Sequence, residues 1–221
     1  GYTYADASLA RLIGSTLAPL VVGQDATAVS GISQRLWQKV RNLGRSGLAA
    51  CAISAIDTAL WDLKARLLGV PLVTLLGQCR DSVPAYGSGG FTAYSHVQTL
   101  EQIGRWISED GCRWVKIKVG AEEDPARVAA TRASIGDAGL FIDANGAFSA
   151  RTAITFAEAI RDSGVLWFEE PVSSDDLAGL RAVREAVGAS GQPMDVTAGE
   201  YAYTPDDFRR LLMAGALDVM Q

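Results

Sequence analysis

The amino-acid sequence predicts an α/β fold in which a parallel βα barrel follows a helical segment. Strands alternate with amphipathic helices after residue 83, which is typical of a parallel sheet. Lys118, Asp143, Glu169 and Glu200 each end a short apolar run, and they are 25, 26 and 31 residues apart. These intervals are close to the roughly 30 residues of one βαβ unit. The carboxyl ends of barrel strands meet at one face, so we expect the four side chains to converge there.

The first predicted domain, residues 1–80, has apolar residues at helical spacing. The pattern predicts helices at residues 5–19, 26–43 and 47–68. The third is rich in alanine and apolar nearly all round, so we expect it to be buried. Gly69 and Pro71 follow it and are typical of a helix end. We interpret this segment as the helical part of an N-terminal capping domain.

The second predicted domain, residues 81–221, alternates strands with helices and contains the candidate site. A closed barrel needs eight strands, so we expect this domain to be a partial barrel, truncated before its last strands. The Gly-rich segment 87–90 does not open a helix after a strand, and we interpret it as a loop over the barrel mouth. The predicted strands are residues 83–87, 113–119, 140–144, 165–170, 194–200 and 217–221, and the predicted helices are residues 97–109, 125–135, 150–163, 175–187 and 205–214.

The composition favours a small molecule as the binding partner. The formal net charge is −5 and the pI is near 4.9, which argues against nucleic acid or an anionic membrane as partner. We find neither a signal-peptide pattern nor an apolar run of the about 20 residues that a membrane span requires. Three widely spaced cysteines predict buried thiols in a reducing compartment. We therefore expect a cytoplasmic protein that binds no nucleic acid or membrane. We also expect a homo-oligomer, which the composition does not address.

Two lysines in the segment RWVKIKV are candidates for acid–base chemistry. Side chains alternate along a strand, so Lys116 and Lys118 lie on the same face. Each ammonium disfavours the charge of the other, and burial does the same, so we expect lowered pKa values. A lysine in this state can act as a base near neutral pH. The alternative is a solvated strand edge, which the surrounding apolar residues disfavour.

Carboxylates at the following strand ends predict a metal site. Asp143 and Asn145 are two residues apart and can share a face, although this pattern is also typical of a turn. Glu169 and Glu170 are adjacent and must point to opposite sides if both are on the strand, so only one can be a ligand. Three carboxylates close together need a cation between them, and oxygen ligands suit Mg²⁺. Helix capping is the alternative role for these acids.

The ordered motifs resemble the enolase superfamily, in its mandelate racemase subgroup. The resemblance is carried by SAIDTALWDLKARLLGVPLVTLLG (54–77), VKIKVG, DANG, WFEEPV and AGE, and it spans nearly the whole chain. It implies a capping domain followed by a TIM-like (β/α)₇β barrel. It further implies that Asp143, Glu169 and Glu200 hold Mg²⁺, and that Lys118 abstracts a proton α to a carboxylate. Lys116 would be a second catalytic group and would also bind the substrate. Asn145 would line the substrate pocket.

The resemblance implies a Mg²⁺-dependent lyase acting on a small-molecule carboxylate. Proton removal gives an enediolate, and loss of a β-hydroxyl then dehydrates a hydroxy or sugar acid. Reprotonation instead gives a racemase or epimerase, which is the alternative activity. Family members carry a second acid/base on later barrel strands, and the single histidine, His96, does not match that position. A non-catalytic remnant or binding module of the same fold is the hypothesis of another class.

Overall fold

The computed structural model describes residues 1–121 and 123–221 and forms two compact units, Gly1–Val83 and Pro84–Gln221. The first unit is helical. A π-helical turn (Ile13–Leu17) and a short 3₁₀ segment (Ala18–Leu20) follow its first helix. Its helices are α1 (Ser8–Leu12), α2 (Val29–Lys39), α3 (Leu48–Leu68) and α4 (Leu72–Leu75).

The long helix α3 confirms the sequence prediction to within one residue at each end. Gly69 adopts a left-handed conformation, with φ at +67°. The amide of Val70 then donates to the carbonyl of Ala65 at 3.1 Å, which satisfies a carbonyl at the helix end. Residues 5–19 differ from the prediction, because one continuous helix is replaced by α1 and the π-helical turn, and Pro19 lies in the 3₁₀ segment that follows.

The second unit is an α/β fold with one parallel sheet, which confirms the predicted fold class. The described residues form six strands, and their order in the sheet follows their order in the chain. The strands are β1 (Gly87–Gly89), β2 (Trp114–Lys118), β3 (Gly139–Asp143), β4 (Val165–Glu169), β5 (Asp195–Ala198) and β6 (Val219–Met220), and the helices are α5 (His96–Ser108), α6 (Asp124–Ser134), α7 (Ala150–Ala159), α8 (Leu177–Ala189) and α9 (Pro205–Met213).

Alternate residues of the central strands form the core of this unit. Ile117, Ile142 and Phe168 are fully buried and belong to the same apolar cluster as residues of the helices. The intervening positions face the other side of the sheet. Burial of one alternate set therefore fixes the strand register and decides which side chains are left for the site.

Strand pairing puts three of the predicted site residues in one row. Lys118 pairs with Asp143, and Asp143 pairs with Glu169, as neighbours across β2, β3 and β4. Thr197 continues the row on β5. The row lies at the carboxyl ends of the strands, as the spacing in the sequence predicts.

The prediction for the Gly-rich segment was wrong, because this segment contains the first strand. β1 spans Gly87–Gly89 rather than residues 83–87. A Cβ at Gly87 would lie 2.5 Å from the Trp106 ring, and one at Gly89 would lie 2.6 Å from Gln102. Glycine is thus required because α5 packs directly on the backbone of this strand.

The cysteines and the helices bear on two smaller expectations from the sequence. The thiols were predicted to be buried, but Cys79 is exposed and Cys51 and Cys112 are only partly buried, so that prediction was wrong. Among the residues that the structure describes, no helix combines the length and the apolar composition needed to cross a bilayer.

Candidate active site at the carboxyl ends of the strands

Asp143 is the centre of the candidate site. Its side chain is fully buried at the end of β3. Oδ2 accepts a hydrogen bond from Nζ of Lys118 and lies 3.3 Å from Nζ of Lys116. Oδ1 accepts the backbone N–H of Asn145 at 2.9 Å. One carboxylate is therefore in contact with both predicted lysines.

Asn145 connects the lysine side of the site with Glu200. Its backbone has a left-handed φ of +44°, a conformation that asparagine tolerates better than most residues. Its Oδ1 accepts from Nζ of Lys118 at 2.7 Å, and its Nδ2 donates to Oε1 of Glu200 at 2.8 Å. Glu200 follows the end of β5 by two residues and is exposed. The five predicted side chains around Asp143 are thus linked by hydrogen bonds or ion pairs.

Lys116 is held as an ammonium group. Its side chain is only 7% exposed, and Nζ donates to the carboxylate of Glu169. Burial is the largest single effect and lowers the pKa of Lys116, but the hydrogen bond and charge of Glu169 and the charge of Asp143 outweigh it and raise the pKa. The predicted lowering of the Lys116 pKa was therefore wrong, because buried carboxylates compensate for the lost hydration. Nζ also lies 5.5 Å from the centre of the Tyr86 ring, where a cation is favoured.

Glu169 and Glu170 both belong to the buried cluster. β4 ends at Glu169, and Glu170 follows with a left-handed φ of +40°. Glu170 is therefore no longer on the strand, and the expectation of opposite orientations, which required both residues to be on the strand, does not apply. The only local signal in the sequence was Pro171, which is typical of a strand end.

The cluster has more negative than positive groups. Burial raises the pKa of Glu169, against the hydrogen bonds from Lys116 and Gln221. Burial, followed by the charges of Glu200, Asp143 and Glu169, raises the pKa of Glu170 to about 8. Both carboxylate oxygens of Glu170 are buried and have no hydrogen-bond partner among the described residues.

These side chains have the chemistry that a hard divalent cation requires. When ionised, four carboxylates face two lysines, an excess of two negative charges, and one buried carboxylate lacks a donor. Within residues 1–121 and 123–221, however, no three His, Cys, Asp or Glu side chains are arranged as a ready ligand set. The carboxylates of Asp143 and Glu169 turn to the lysine ammonium groups, and that of Glu200 turns to the Asn145 amide.

An open cavity adjoins this cluster. Its volume is about 350 Å³, and its polar lining includes Asn145 and Glu170. Ser173, Ser174, Tyr201 and Tyr203 line the remainder, together with Asp175 and Gly146. The strand ends are therefore accessible to a small polar molecule.

Comparison with protein families gives two matches that together cover most of the chain. Residues 2–77 match the mandelate racemase / muconate lactonizing enzyme N-terminal domain. Residues 98–221 match the enolase C-terminal domain-like family.

Curated relatives include enzymes that act on sugar acids. A 3,6-anhydro-alpha-L-galactonate cycloisomerase from Streptomyces coelicolor is 37% identical, over 98% of this chain and 61% of its own length. An L-talarate/galactarate dehydratase from Salmonella typhimurium is 35% identical, over 93% of this chain and 51% of its own length. The chain therefore spans between half and two thirds of the length of these relatives.

Solved structures have the same fold. A mandelate racemase/muconate lactonizing enzyme-like protein from Rubrobacter xylanophilus is 43% identical and matches with a TM-score of 0.92, over all of this chain and 61% of its own. A racemase from Streptomyces coelicolor with bound magnesium is 33% identical, with a TM-score of 0.88, over 97% of this chain and 59% of its own.

Proposed function

The chain belongs to the mandelate racemase and muconate lactonizing enzyme family of the enolase superfamily, and we propose that the protein dehydrates a hydroxy or sugar acid. In this proposal Lys118 abstracts the proton α to the carboxylate, and Asp143, Glu169 and Glu200 hold Mg²⁺. Lys116 and Asn145 bind the substrate. The observation that carries the proposal is the convergence of both lysines on Asp143 at the strand ends.

The two lysines differ in a way that supports separate roles. Lys116 has a raised pKa and stays protonated, so it is suited to stabilising negative charge and not to accepting a proton. Lys118 is more accessible, with 21% of its side chain exposed, and is held by Asp143 and Asn145. Nζ of Lys118 is therefore accessible from the strand ends, with its position set by two hydrogen-bond partners.

The chemistry follows from the charge that forms. The neutral amine of Lys118 takes the α-proton, and the electron pair of the C–H bond forms the double bond of an enediolate. A divalent cation, when held by Asp143, Glu169 and Glu200, would supply positive charge that stabilises the enediolate. The ammonium of Lys116 would stabilise the same oxygens. In a 2,3-dihydroxy acid, the β-hydroxyl then leaves as water with a proton returned from Lys118 or taken from solvent. The resulting 2-enol takes a proton from solvent at C3 and becomes a 2-oxo acid.

Dehydration is supported by one of the relatives and by the cavity. The talarate/galactarate relative is named as a dehydratase, and serine, tyrosine and acidic residues line the cavity beside the site, as suits a polyhydroxylated substrate. A racemase or epimerase is the second candidate, since a solved structure with the same fold is named as a racemase. A non-catalytic binding module is disfavoured because a structural domain gains little from burying this many charges.

Isotope exchange tests the base without knowledge of the product. The intact protein, with Mg²⁺, is incubated in D₂O with a library of hydroxy and sugar acids, and both α-hydrogen exchange and dehydration are measured. We expect Lys118→Ala to abolish both, and Lys116→Ala to weaken binding and slow turnover. Lys39→Ala changes an exposed lysine on α2 and serves as the matched control. Undiminished turnover by Lys118→Ala would refute the assignment, and an intact protein that binds Mg²⁺ but exchanges no α-hydrogen would favour the binding module.

A further inference from the structure

Arg127 lies outside the candidate site but holds the loop that follows β1. It is on α6 and only 5% exposed. Its Nη2 donates to the carbonyls of Gly90 and Phe91, the second at 2.8 Å, and to the hydroxyl of Thr99 at 3.2 Å. One buried guanidinium therefore joins α6 to two consecutive carbonyls of this loop and to α5.

Gly90 is held on both sides of its backbone. Its N–H donates to Oε1 of Gln102 at 2.9 Å, and its carbonyl accepts the backbone N–H of Lys118 at 3.1 Å. Its φ is +52°, and a Cβ there would lie 2.7 Å from the Ile117 side chain. The loop thus lies directly against the end of β2, and the carbonyl that Arg127 holds also holds the main chain of Lys118.

Stability alone is a poor explanation for this arrangement. The acceptors of Arg127 are two neutral carbonyls and a hydroxyl, and its buried Nε has no partner among the described residues. Removing a cation from water against neutral acceptors is costly, and an apolar side chain of similar volume is often at least as stabilising. The feature that an apolar side chain could not reproduce is the orientation of the Gly90 peptide.

We propose that Arg127 is a positioning residue for Lys118, acting through the carbonyl of Gly90. The consequence for catalysis rests on the proposed role of Lys118 as the base. Displacing a reacting group by about 1 Å can lower a rate by about 100-fold, so a loosened main chain at Lys118 should reduce proton abstraction.

The same helix provides a matched control. Arg132 is also on α6, and its Nη2 donates to the carbonyls of Gly136 and Ala138, the second at 2.7 Å. Those carbonyls precede β3 and therefore lie at the amino end of the strand, away from Lys118. Arg132→Met removes the same type of side chain and the same type of contact without affecting the loop after β1.

Amide exchange tests the positioning role independently of activity. This chain has four lysines, Lys39, Lys64, Lys116 and Lys118, so ¹⁵N-lysine labelling of the intact protein gives few signals from it. The Lys118 amide is assigned by its loss in Lys118→Arg. In Arg127→Met we expect it to exchange at least about tenfold faster relative to the Lys116 amide, since the loop that carries its acceptor, Gly90, is no longer held by the guanidinium. In Arg132→Met the ratio of the two exchange rates should stay as in the wild type.

Kinetics test the consequence for catalysis. On an acid that the wild type turns over, Arg127→Met should lower kcat by about 10- to 100-fold and change KM by less than about threefold. Arg132→Met should retain the wild-type kcat, even if its melting temperature falls as far as that of Arg127→Met. If Arg127→Met does not fold, Arg127→Lys replaces it, because lysine keeps the charge but cannot make the same set of contacts.

The two measurements separate the possible failures. An unchanged Lys118 amide exchange in the folded Arg127 variant would overturn the positioning role, and so would an equal loss of kcat in both arginine variants. If the Lys118 amide exchanges faster in Arg127→Met but the wild-type protein turns over none of the acids, the positioning role is kept and the proposed function of Lys118 is refuted.

Discussion

The contact between Lys116 and Glu169 gives the most direct test of the charge balance in the site. The side chains of Lys116 and Glu169 are 7% and 1% exposed. Nζ of Lys116 donates a hydrogen bond to the Glu169 carboxylate at the end of β4. Lys116→Met fills a similar volume but leaves the Glu169 carboxylate buried without its cation. Breaking a buried pair in this way is expected to destabilise the protein by about 3–5 kcal/mol.

Burial decides this magnitude, and a surface pair of the same chemistry shows the difference. Arg181 and Glu185 form an ion pair within α8, with side chains 59% and 57% exposed. Arg181→Met is expected to change the free energy of unfolding far less than Lys116→Met does, because water screens both charges. The difference between the two predictions therefore follows from the solvent exposure of the two pairs.

Urea unfolding of the intact protein, in a buffer with a metal chelator, measures these free energies. The double variant Lys116→Met with Glu169→Gln removes both charges, so it should be more stable than the sum of the single variants predicts. We expect a coupling energy of at least about 2 kcal/mol between the two residues. A coupling below about 0.5 kcal/mol, or a Lys116→Met variant no less stable than Arg181→Met, would refute the buried ion pair.

Two further predictions concern the metal and acid stability. Glu169→Gln should lower the affinity for Mg²⁺ at least about tenfold in calorimetry. Glu185→Gln makes the same change far from the site and should have no effect. Unchanged affinity in Glu169→Gln would make Glu170 the alternative ligand. Asp207 is the third residue of α9 and forms a capping box with the N-cap residue Thr204. Burial acts to raise the pKa of Asp207, but hydrogen bonds from Thr204 and from the Tyr203 backbone outweigh it and lower the pKa. Because the pKa of Asp207 is lower in the folded than in the unfolded protein, its carboxylate stabilises the fold at pH values above the unfolded pKa of about 4. This stabilisation is lost as the pH falls through the folded pKa. Asp207→Ala should therefore destabilise by about 1 kcal/mol at pH 7 and progressively less below pH 4 in thermal melts, and a pH-independent difference would contradict this origin.

Local periodicity in the sequence was sufficient for the strands after the first and for the side of the sheet that the site residues face. The alternation in residues 113–119 places Lys116 and Lys118 together because side chains alternate along any strand. The regular spacing of Asp143 and Glu169 similarly predicts one row across β3 and β4, and the observed register contains it. Their assigned roles in metal binding and catalysis stay predictions.

The first strand could not be located from local pattern. Residues 87–90 have too few side chains to show an alternation, and the need for glycine arises only when α5 packs against Gly87 and Gly89. A contact between distant residues thus decided a local structure. The same is true of Gly90, whose backbone is fixed by Arg127 and Gln102.

The sequence by itself determined the order of the elements, the shared face of the two lysines and the strand-end positions of the acids, because these depend on periods within a few residues. Only the tertiary structure decided the charge state of Lys116, the inclusion of Glu170 in the cluster and the contact of Arg127 with Gly90. Each of these depends on groups that folding brings together across long separations, 53 residues for Lys116 and Glu169. Burial and charge act through space, so the pKa of a side chain and its partners are set by its neighbours in the folded protein.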